Sequence, residues 1–238
     1  MPAPPEAWVI LPTYNEAENL ERIVGAVLEQ LPDSGKVLVV DDNSPDGTGE
    51  IADRLATEHD RIRVLHRERK EGLGPAYLAG FRVALDADAQ RIIEMDADFS
   101  HDPSYLPGLI AATENADLAI GSRYVPGGGV TDWGPLRRLI SQGGSVYARL
   151  ALRVPVRDLT GGFKCFRPEV LEAIDLDSIE ARGYAFQVET TYRALKMGFR
   201  VVELPIVFRD RREGSSKMSK SIVAEAIWRV PAMRFRRW

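Results

Sequence analysis

Two aspartates one residue apart, Asp96 and Asp98, are the side chains in this sequence best placed to do chemistry. They follow the apolar run Ile92-Ile93-Glu94-Met95. That run is too short for a helix and reads as a buried strand. Ligands in an open α/β sheet gather at the carboxyl ends of strands, which is where the pair falls. In extended backbone, alternate side chains share a face. Both carboxylates are then aimed at one hard cation, Mg²⁺ or Mn²⁺, which prefers oxygen ligands and keeps positions open for phosphate. Taken alone, Asp-Ala-Asp reads equally well as a cap on the helix that follows Pro103.

The elements that must position such a site are legible along the chain. Trp8 to Pro12 reads as a first buried strand. Thr13 and Glu16 have capping-box spacing for a helix whose apolar residues run from Leu20 to Leu31. The turn between them lacks the G-x-G-x-x-G of a dinucleotide site, which argues against an oxidoreductase. It leaves Tyr14 and Glu16 to meet a base or ribose, although Tyr14 reads equally as packing. Val37 to Val40 is a second buried strand, and it delivers Asp42, whose carboxylate can accept from a ribose or base edge. Ile62 to His66 is a third strand. After it, Gly72 and Gly74 read as a tight connection into a helix that ends near Asp86.

Downstream, a helix is expected over 103–113 and a strand over 117–121, which carries Arg123 just past its end. An arginine there either grips a phosphate bidentately or forms a surface ion pair. Leu136, Leu139, Ile140, Gly143, Val146, Tyr147 and Leu150 fall on one stripe of a further helix, alongside Arg137, Arg138, Arg149 and Arg153. Arg137 and Ser141 lie one turn apart. A last strand over 199–208 is broken at Pro205 and is therefore expected at an edge.

Composition bounds the class. The 238 residues suit one large α/β domain, and the single cysteine, Cys165, excludes an intrachain disulfide and reads as a small buried hydrophobe. The start lacks the basic and apolar regions of a signal peptide, and no apolar run reaches the roughly 18 residues needed to span a bilayer. The expected location is cytoplasmic. The formal charge of −4 conceals a basic end: residues 209–238 carry nine Lys and Arg against three acids, a local +6, which leaves −10 elsewhere. Such a tail fits an anionic surface or phosphate better than nucleic acid.

The stretches V-I-L-P-T-Y-N-E, V-V-D-D-N-S-P-D-G-T and M-D-A-D-F-S-H, in that order and spacing, resemble family 2 glycosyltransferases. Within that family the likeness is greatest to the dolichol-phosphate or polyprenol-phosphate mannosyltransferases, and it runs from about Trp8 to about Lys217. The resemblance implies an α/β, GT-A-like fold over 1–216, a mixed, mostly parallel sheet with helices on both faces, followed by a C-terminal helix and tail over 217–238. It implies transfer of mannose from GDP-mannose to dolichyl or polyprenyl phosphate with inversion, assisted by Mg²⁺ or Mn²⁺ on Asp96 and Asp98. The donor would contact Pro12, Tyr14, Glu16, Val40, Asp42, Ala97 and Arg123. The acceptor phosphate would meet Arg123, Arg137 and Ser141. Arg211 and, six residues on, Lys217 match the arginine and lysine that such enzymes bring to the nucleotide diphosphate. Glu189 needs no catalytic role, because a polyprenyl phosphate is already an anionic nucleophile near neutral pH.

Two other readings share these residues: a relative that uses UDP-glucose or another donor, and a sugar-nucleotide-binding module without turnover. A lipid acceptor implies peripheral contact with a membrane surface, and a membrane-protein partner is possible. The expected contact is the C-terminal segment, where Ser219 to Val230 reads as an amphipathic helix ended by Pro231. Beyond it, Met233 to Trp238 interleaves cations with apolar groups.

Overall fold

The computed structural model describes residues 5–179, 183–209 and 229–236. In chain order the elements begin with β1 (Ala7–Thr13), α1 (Leu20–Gln30), β2 (Lys36–Asp41), α2 (Thr48–Glu58), β3 (Ile62–His66), α3 (Leu73–Asp86) and β4 (Arg91–Glu94). Next come α4 (Leu106–Ala112), β5 (Leu118–Ser122), β6 (Gly129–Val130), α5 (Pro135–Leu152), β7 (Lys164–Phe166) and α6 (Pro168–Ala173). The last are α7 (Gly183–Lys196), β8 (Val201–Pro205) and β9 (Val207–Phe208).

Seven strands form one sheet in the order β3-β2-β1-β4-β7-β5-β8, and β6 pairs with β9 in a separate parallel ribbon. Only β7 runs antiparallel to its neighbours in the large sheet. The fold is therefore the α/β, mostly parallel architecture expected. Buried runs such as Val37 to Val40 reflect a sheet covered on both faces, and two apolar clusters, one on each side, form the core.

The order also explains where a site belongs. The chain winds from β1 outward to β3 and then returns to place β4 on the other side of β1, so the crevice of a topological switch point opens at their carboxyl ends. β5 points the same way as β4, because each pairs antiparallel with β7. For the same reason the segment entering β7 arrives at that same edge. Residues from 12–16, 41–42, 96–101, 121–124 and 158–163 are thereby gathered from five places in the sequence.

The structure corrects three local expectations and settles which face of α5 is buried. Thr13 does not cap a helix: it ends β1, and its hydroxyl donates to Asp41 Oδ1 at 3.1 Å, while α1 starts only at Leu20. The carboxyl-end neighbour on β2 competes successfully for the hydroxyl that the capping box would use. The last strand is two, since Ile206 separates β8 in the main sheet from β9 in the ribbon, and β8 is the predicted edge. On α5 the inward face is made of small residues and Leu152, with Ser145 and Ala148 buried, while the apolar stripe from Leu139 to Leu150 faces outward.

The third correction concerns Pro231. Helical backbone covers residues 229–233 and so continues through Pro231 to Met233. Proline removes one N–H donor but has a helix-compatible φ, so one missing bond need not end the helix. Ser219 to Trp228, Arg211, Lys217 and the boundary at 216/217 lie outside the described residues. Among the described residues no helix is long and apolar enough to cross a membrane.

Helix α3 lies close against the sheet at Gly80. A Cβ there would sit 2.4 Å from Ile10 Cγ2 and 3.2 Å from Val40 Cγ2, both buried. Gly80→Val is expected to destabilise the protein by about 1–3 kcal/mol through overpacking, despite glycine's poor helix propensity. A urea midpoint equal to that of the parent would refute this close helix–sheet approach.

Candidate active site

A cavity of about 510 Å³ opens at this edge, with Asp96, Ala97 and Asp98 on its wall. Each member of the motif is fixed separately. The Tyr77 hydroxyl of α3 donates to Asp96 Oδ1 at 3.1 Å, and the Ser100 N–H donates to Asp98 Oδ1 at 3.0 Å. Phe99 adopts a left-handed φ of 60°, which turns the chain back so that the Asp96 N–H reaches His101 Nδ1 at 3.1 Å. His101 stacks on Phe163 at 4.9 Å between centroids. Its burial lowers its pKa against the opposing pull of Asp96 and Asp98, which suits the neutral, accepting Nδ1. Burial, reinforced by Asp96 and Glu94, raises the Tyr77 phenol and keeps it a donor.

On one side the cavity is lined by Pro12, Tyr14, Glu16, Asp42 and the loop Lys70-Glu71-Gly72. Lys70 Nζ lies 3.5 Å from the Tyr14 ring centroid, a cation–π contact. Asp42 is more constrained than its strand-end position indicated, because Arg67 donates to its Oδ1 at 2.5 Å and the Glu71 N–H reaches its Oδ2 at 3.3 Å. Gly72 has φ of 103° and, with Leu73, forms cavity wall as well as connecting β3 to α3. Val40 is buried in β2 and does not line the cavity.

The opposite side is formed by Arg123, Trp133 and Arg137. Arg123 is neither on the surface nor turned outward: its Nε and one terminal nitrogen each meet Asp158 at 2.7 Å, and that nitrogen also reaches Thr160 Oγ1 at 2.8 Å. Burial pushes the Asp158 carboxyl up, but the Arg123 charge and its hydrogen bonds outweigh this and hold it below its ordinary value. The Arg137 guanidinium lies 4.6 Å from the Trp133 ring centroid. Ser141 pairs with the Tyr124 hydroxyl at 2.7 Å and is not part of the cavity wall.

Beneath the aspartates is a buried cluster that the motifs did not disclose. Lys164 Nζ on β7 donates to the Gln187 carbonyl at 2.9 Å, to Gln187 Oε1 at 2.5 Å and to Thr190 Oγ1 at 3.0 Å, and it lies 3.8 Å from Glu94. Burial raises the Glu94 carboxyl to about 7 against the pull of Lys164. A signal was present, since Lys164 and Glu94 each interrupt an apolar strand, and a charge in such a run needs a buried partner. Cys165 is inert as expected, its thiol raised by burial to about 12. Glu189 is paired with Arg193 within α7.

The donor set fits a hard cation shared with a substrate. Asp96 and Asp98 both bring carboxylate oxygens to the cavity wall, and no group of three or more His, Cys, Asp or Glu able to hold a metal occurs among the described residues. Mg²⁺ and Mn²⁺ commonly bind through one or two carboxylates, with water and phosphate completing the shell.

A model of the family described as glycosyl transferase family 2 matches residues 8–175. An undecaprenyl-phosphate mannosyltransferase of Micrococcus luteus is 50% identical over 221 residues, spanning 93% of this chain and 90% of the relative. A polyprenol monophosphomannose synthase of Mycolicibacterium smegmatis is 52% identical over 225 residues, spanning 93% and 84%. Among solved structures, glucosyl-3-phosphoglycerate synthase of Mycobacterium tuberculosis, in complex with Mn²⁺, UDP-glucose and phosphoglyceric acid, superposes with a TM-score of 0.73. It is 16% identical, covering 98% of this chain and 81% of that one, a likeness of fold.

The Arg123–Asp158 pair gives a prediction with a defined sign. A carboxyl whose folded pKa is depressed stabilises the fold in full above its unfolded value and loses that contribution as pH falls through the folded one. Asp158→Asn is expected to cost about 3–5 kcal/mol at pH 7, because Arg123 is left buried without its counter-charge. The gap to the parent should narrow below the ordinary aspartate value of 3.8. Urea unfolding at pH 7 and pH 3 checks this; an equal gap at both would contradict it.

Proposed function

Because the chain belongs to glycosyl transferase family 2, we propose that it transfers mannose from GDP-mannose to a polyprenyl phosphate such as dolichyl phosphate, with inversion, releasing GDP. The observation that carries this reading is the placement of Asp96 and Asp98 on one cavity wall, between a side lined by Tyr14, Glu16 and Asp42 and a side lined by Arg123 and Arg137. The two relatives that are half identical, both named for mannose transfer to polyprenol carriers, support the sugar and the acceptor class.

In this reading the nucleotide lies along Pro12, Tyr14, Glu16 and Asp42, with Arg67 setting the orientation of the Asp42 carboxylate. A phosphate oxygen of the acceptor attacks the anomeric carbon from the face opposite the diphosphate. The new C–O bond forms as the bond to the leaving phosphate oxygen breaks. Asp96 and Asp98 would hold Mg²⁺ or Mn²⁺, which when bound neutralises charge on the departing diphosphate. Arg211 and Lys217 add cationic donors to that diphosphate. Arg137 attracts the acceptor phosphate, and Arg123, held by Asp158, lies on the same wall. No general base is required, in keeping with the enclosure of Glu189 by Arg193. The enzyme works at the cytoplasmic face as a peripheral protein, in contact with the lipid that carries its acceptor, and its exposed Phe235 and Arg234 belong to the basic tail that favours such a surface.

The direct test is extraction of radiolabel from GDP-mannose into an organic phase with and without added polyprenyl phosphate. Label that enters only with the acceptor supports the proposal. Efficient transfer from UDP-glucose instead would replace the donor, and no transfer from any sugar nucleotide would favour a silent binding module. Asp98→Ala is expected to abolish transfer, a loss of several kcal/mol of transition-state stabilisation on the order seen for catalytic metals, with an unchanged melting curve. Near-normal turnover would falsify the ligand assignment.

Neutral substitutions of the cations should divide into two kinetic classes. Lys217→Ala is expected to raise the KM for the sugar nucleotide, and Arg137→Ala that for the polyprenyl phosphate. Each effect should be roughly tenfold to a hundredfold, as for a lost charge-assisted hydrogen bond of about 1.5–3 kcal/mol. If either substitution raised both constants equally, the division of the cavity into donor and acceptor sides would be wrong.

A further inference from the structure

The hydroxyl of Tyr77 is not explained by the core that surrounds it. Tyr77 lies on α3, fully buried, with its ring stacked on Phe81 at 5.9 Å and on Phe186 at 6.1 Å between centroids. Phe81 in turn meets Phe166 at 5.7 Å. Phenylalanine would fill this position, because the stacking belongs to the ring, whereas a buried hydroxyl costs stability unless it is bonded. The hydroxyl bonds to Asp96 Oδ1 at 3.1 Å. Tyr77 is not part of the cavity wall, although Ala76 beside it and Asp96 beyond it are. The phenol therefore acts on anything in the cavity only through the aspartate.

The place of that hydroxyl is fixed from two directions. Helix α3 starts at the cavity with Gly72 and Leu73 and leads back to the opposite edge, where the Gln90 N–H reaches the Glu6 carbonyl just before β1. It thus runs against the parallel strands. Gly80 lets the helix approach β1 so closely that a Cβ there would stand 2.4 Å from Ile10 Cγ2, and Ile10 is registered opposite Glu94. From Gly80 back to Tyr77 the helix rises about 4.5 Å toward the cavity, and from Glu94 on to Asp96 extended chain rises about 6.6 Å the same way. The phenol and the carboxylate are brought to similar heights by the same close packing. On the other side Phe186 of α7 lies parallel to the Tyr77 ring, at an interplanar angle of 2°, and keeps it from turning aside.

We propose that Tyr77 is a positioning residue of the metal site: its hydroxyl holds the Asp96 carboxylate in the orientation a divalent cation needs, and so sets how tightly that cation binds beside the nucleotide. The proposal rests on the reading of Asp96 and Asp98 as cation ligands and adds to them a residue from a helix. Asp98 is held by a backbone N–H, that of Ser100, so Tyr77 is the tie that a substitution can remove. Groups that orient ligating side chains change metal affinity or activity by roughly ten- to a hundredfold when lost.

The test measures the Mn²⁺ concentration that half-maximally promotes GDP binding, by calorimetric titration of GDP into the full chain across Mn²⁺ concentrations and in EDTA. Tyr77→Phe removes only the hydroxyl. It is expected to raise the half-maximal Mn²⁺ about tenfold or more, to leave GDP affinity in EDTA within about twofold of the parent, and to regain the parent's affinity at higher Mn²⁺. Phe81→Leu disturbs the packing of the ring and keeps the hydroxyl. It is expected to lower the melting temperature more than Tyr77→Phe does, with the half-maximal Mn²⁺ close to that of the parent. Asp98→Ala is expected to lose the Mn²⁺ effect.

An unchanged half-maximal Mn²⁺ in Tyr77→Phe, with the Mn²⁺ effect lost in Asp98→Ala, overturns the proposal and leaves the ligand reading standing. Equal shifts in Tyr77→Phe and Phe81→Leu overturn it as well, since packing rather than the hydroxyl would be the cause. So does a loss of GDP affinity in EDTA as large as that in Mn²⁺, which would mean that Tyr77→Phe damages the fold of the whole site. GDP binding by the parent that ignores Mn²⁺ would remove the ligand reading of Asp96 and Asp98, and the role of Tyr77 with it.

Discussion

The structure depends on a concentration of negative charge that the fold must make tolerable. Glu94, Asp96, Asp98 and Asp158 all arrive at one edge of the sheet, and all but Asp96 are buried. Carboxylates crowded in low dielectric raise one another's pKa and resist ionisation unless donors or cations face them. Each here has a distinct answer. Asp158 has a bidentate arginine, Asp98 a backbone N–H, Asp96 a tyrosine hydroxyl, and Glu94 the more distant Lys164. The least compensated, Glu94, is the one whose carboxyl is raised to about 7. The raised carboxyl thus lies one layer below the aspartates of the cavity wall.

This arrangement constrains what surrounds it. Lys164 is wholly buried, and its three hydrogen bonds to Gln187 and Thr190 tie β7 to α7. Arg123 and Asp158 likewise tie the end of β5 to the segment entering β7. Both ties are possible only because β7 runs antiparallel, which brings its entry to the edge where the parallel strands finish. The one reversed strand in the sheet therefore serves the site, since a parallel β7 would carry these groups to the opposite edge.

Much of the cavity wall around Asp42 and Asp96 was legible in the sequence because it obeys local rules. Short apolar runs ending in Asp42 and in Asp96-Ala97-Asp98 locate strand ends, and strand ends locate a site. What escaped was set by pairing across the chain. Asp42 read as open to a ribose, and only the fold brings Arg67 onto its carboxylate. Arg123 read as a phosphate grip or a surface ion pair, yet its partner stands 35 residues away and is buried with it. The Thr13–Glu16 capping box failed because a hydroxyl at a strand end has a rival acceptor on the next strand, which spacing along one segment does not reveal. Helix α5 shows a further limit. Periodicity discloses that a helix has two unlike faces, but not which of them meets the core. Small residues can pack inward as closely as large ones when the helix lies near the body.

The outward facing of the α5 stripe bears on how the two sides of the cavity differ. The side lined by Tyr14, Glu16 and Asp42 is made from strand ends and their immediate turns, whose positions are fixed by registers such as Thr13 opposite Asp41 and Ile10 opposite Glu94. The opposite side is made from Trp133, Arg137 and the short β6–β9 ribbon, segments held by fewer backbone pairings. A nucleotide is small, constant and polar, and a rigid strand-end frame suits it because preorganised donors need no rearrangement on binding. A polyprenyl phosphate is long and apolar, with a single charged end. A wall assembled from a peripheral helix can meet both parts of such a molecule, with an arginine toward the cavity and leucines toward the outside. The same helix could not do so with its apolar stripe folded inward, because Leu139 and Leu150 would then be spent on the core and only the charged end of the acceptor would find a partner.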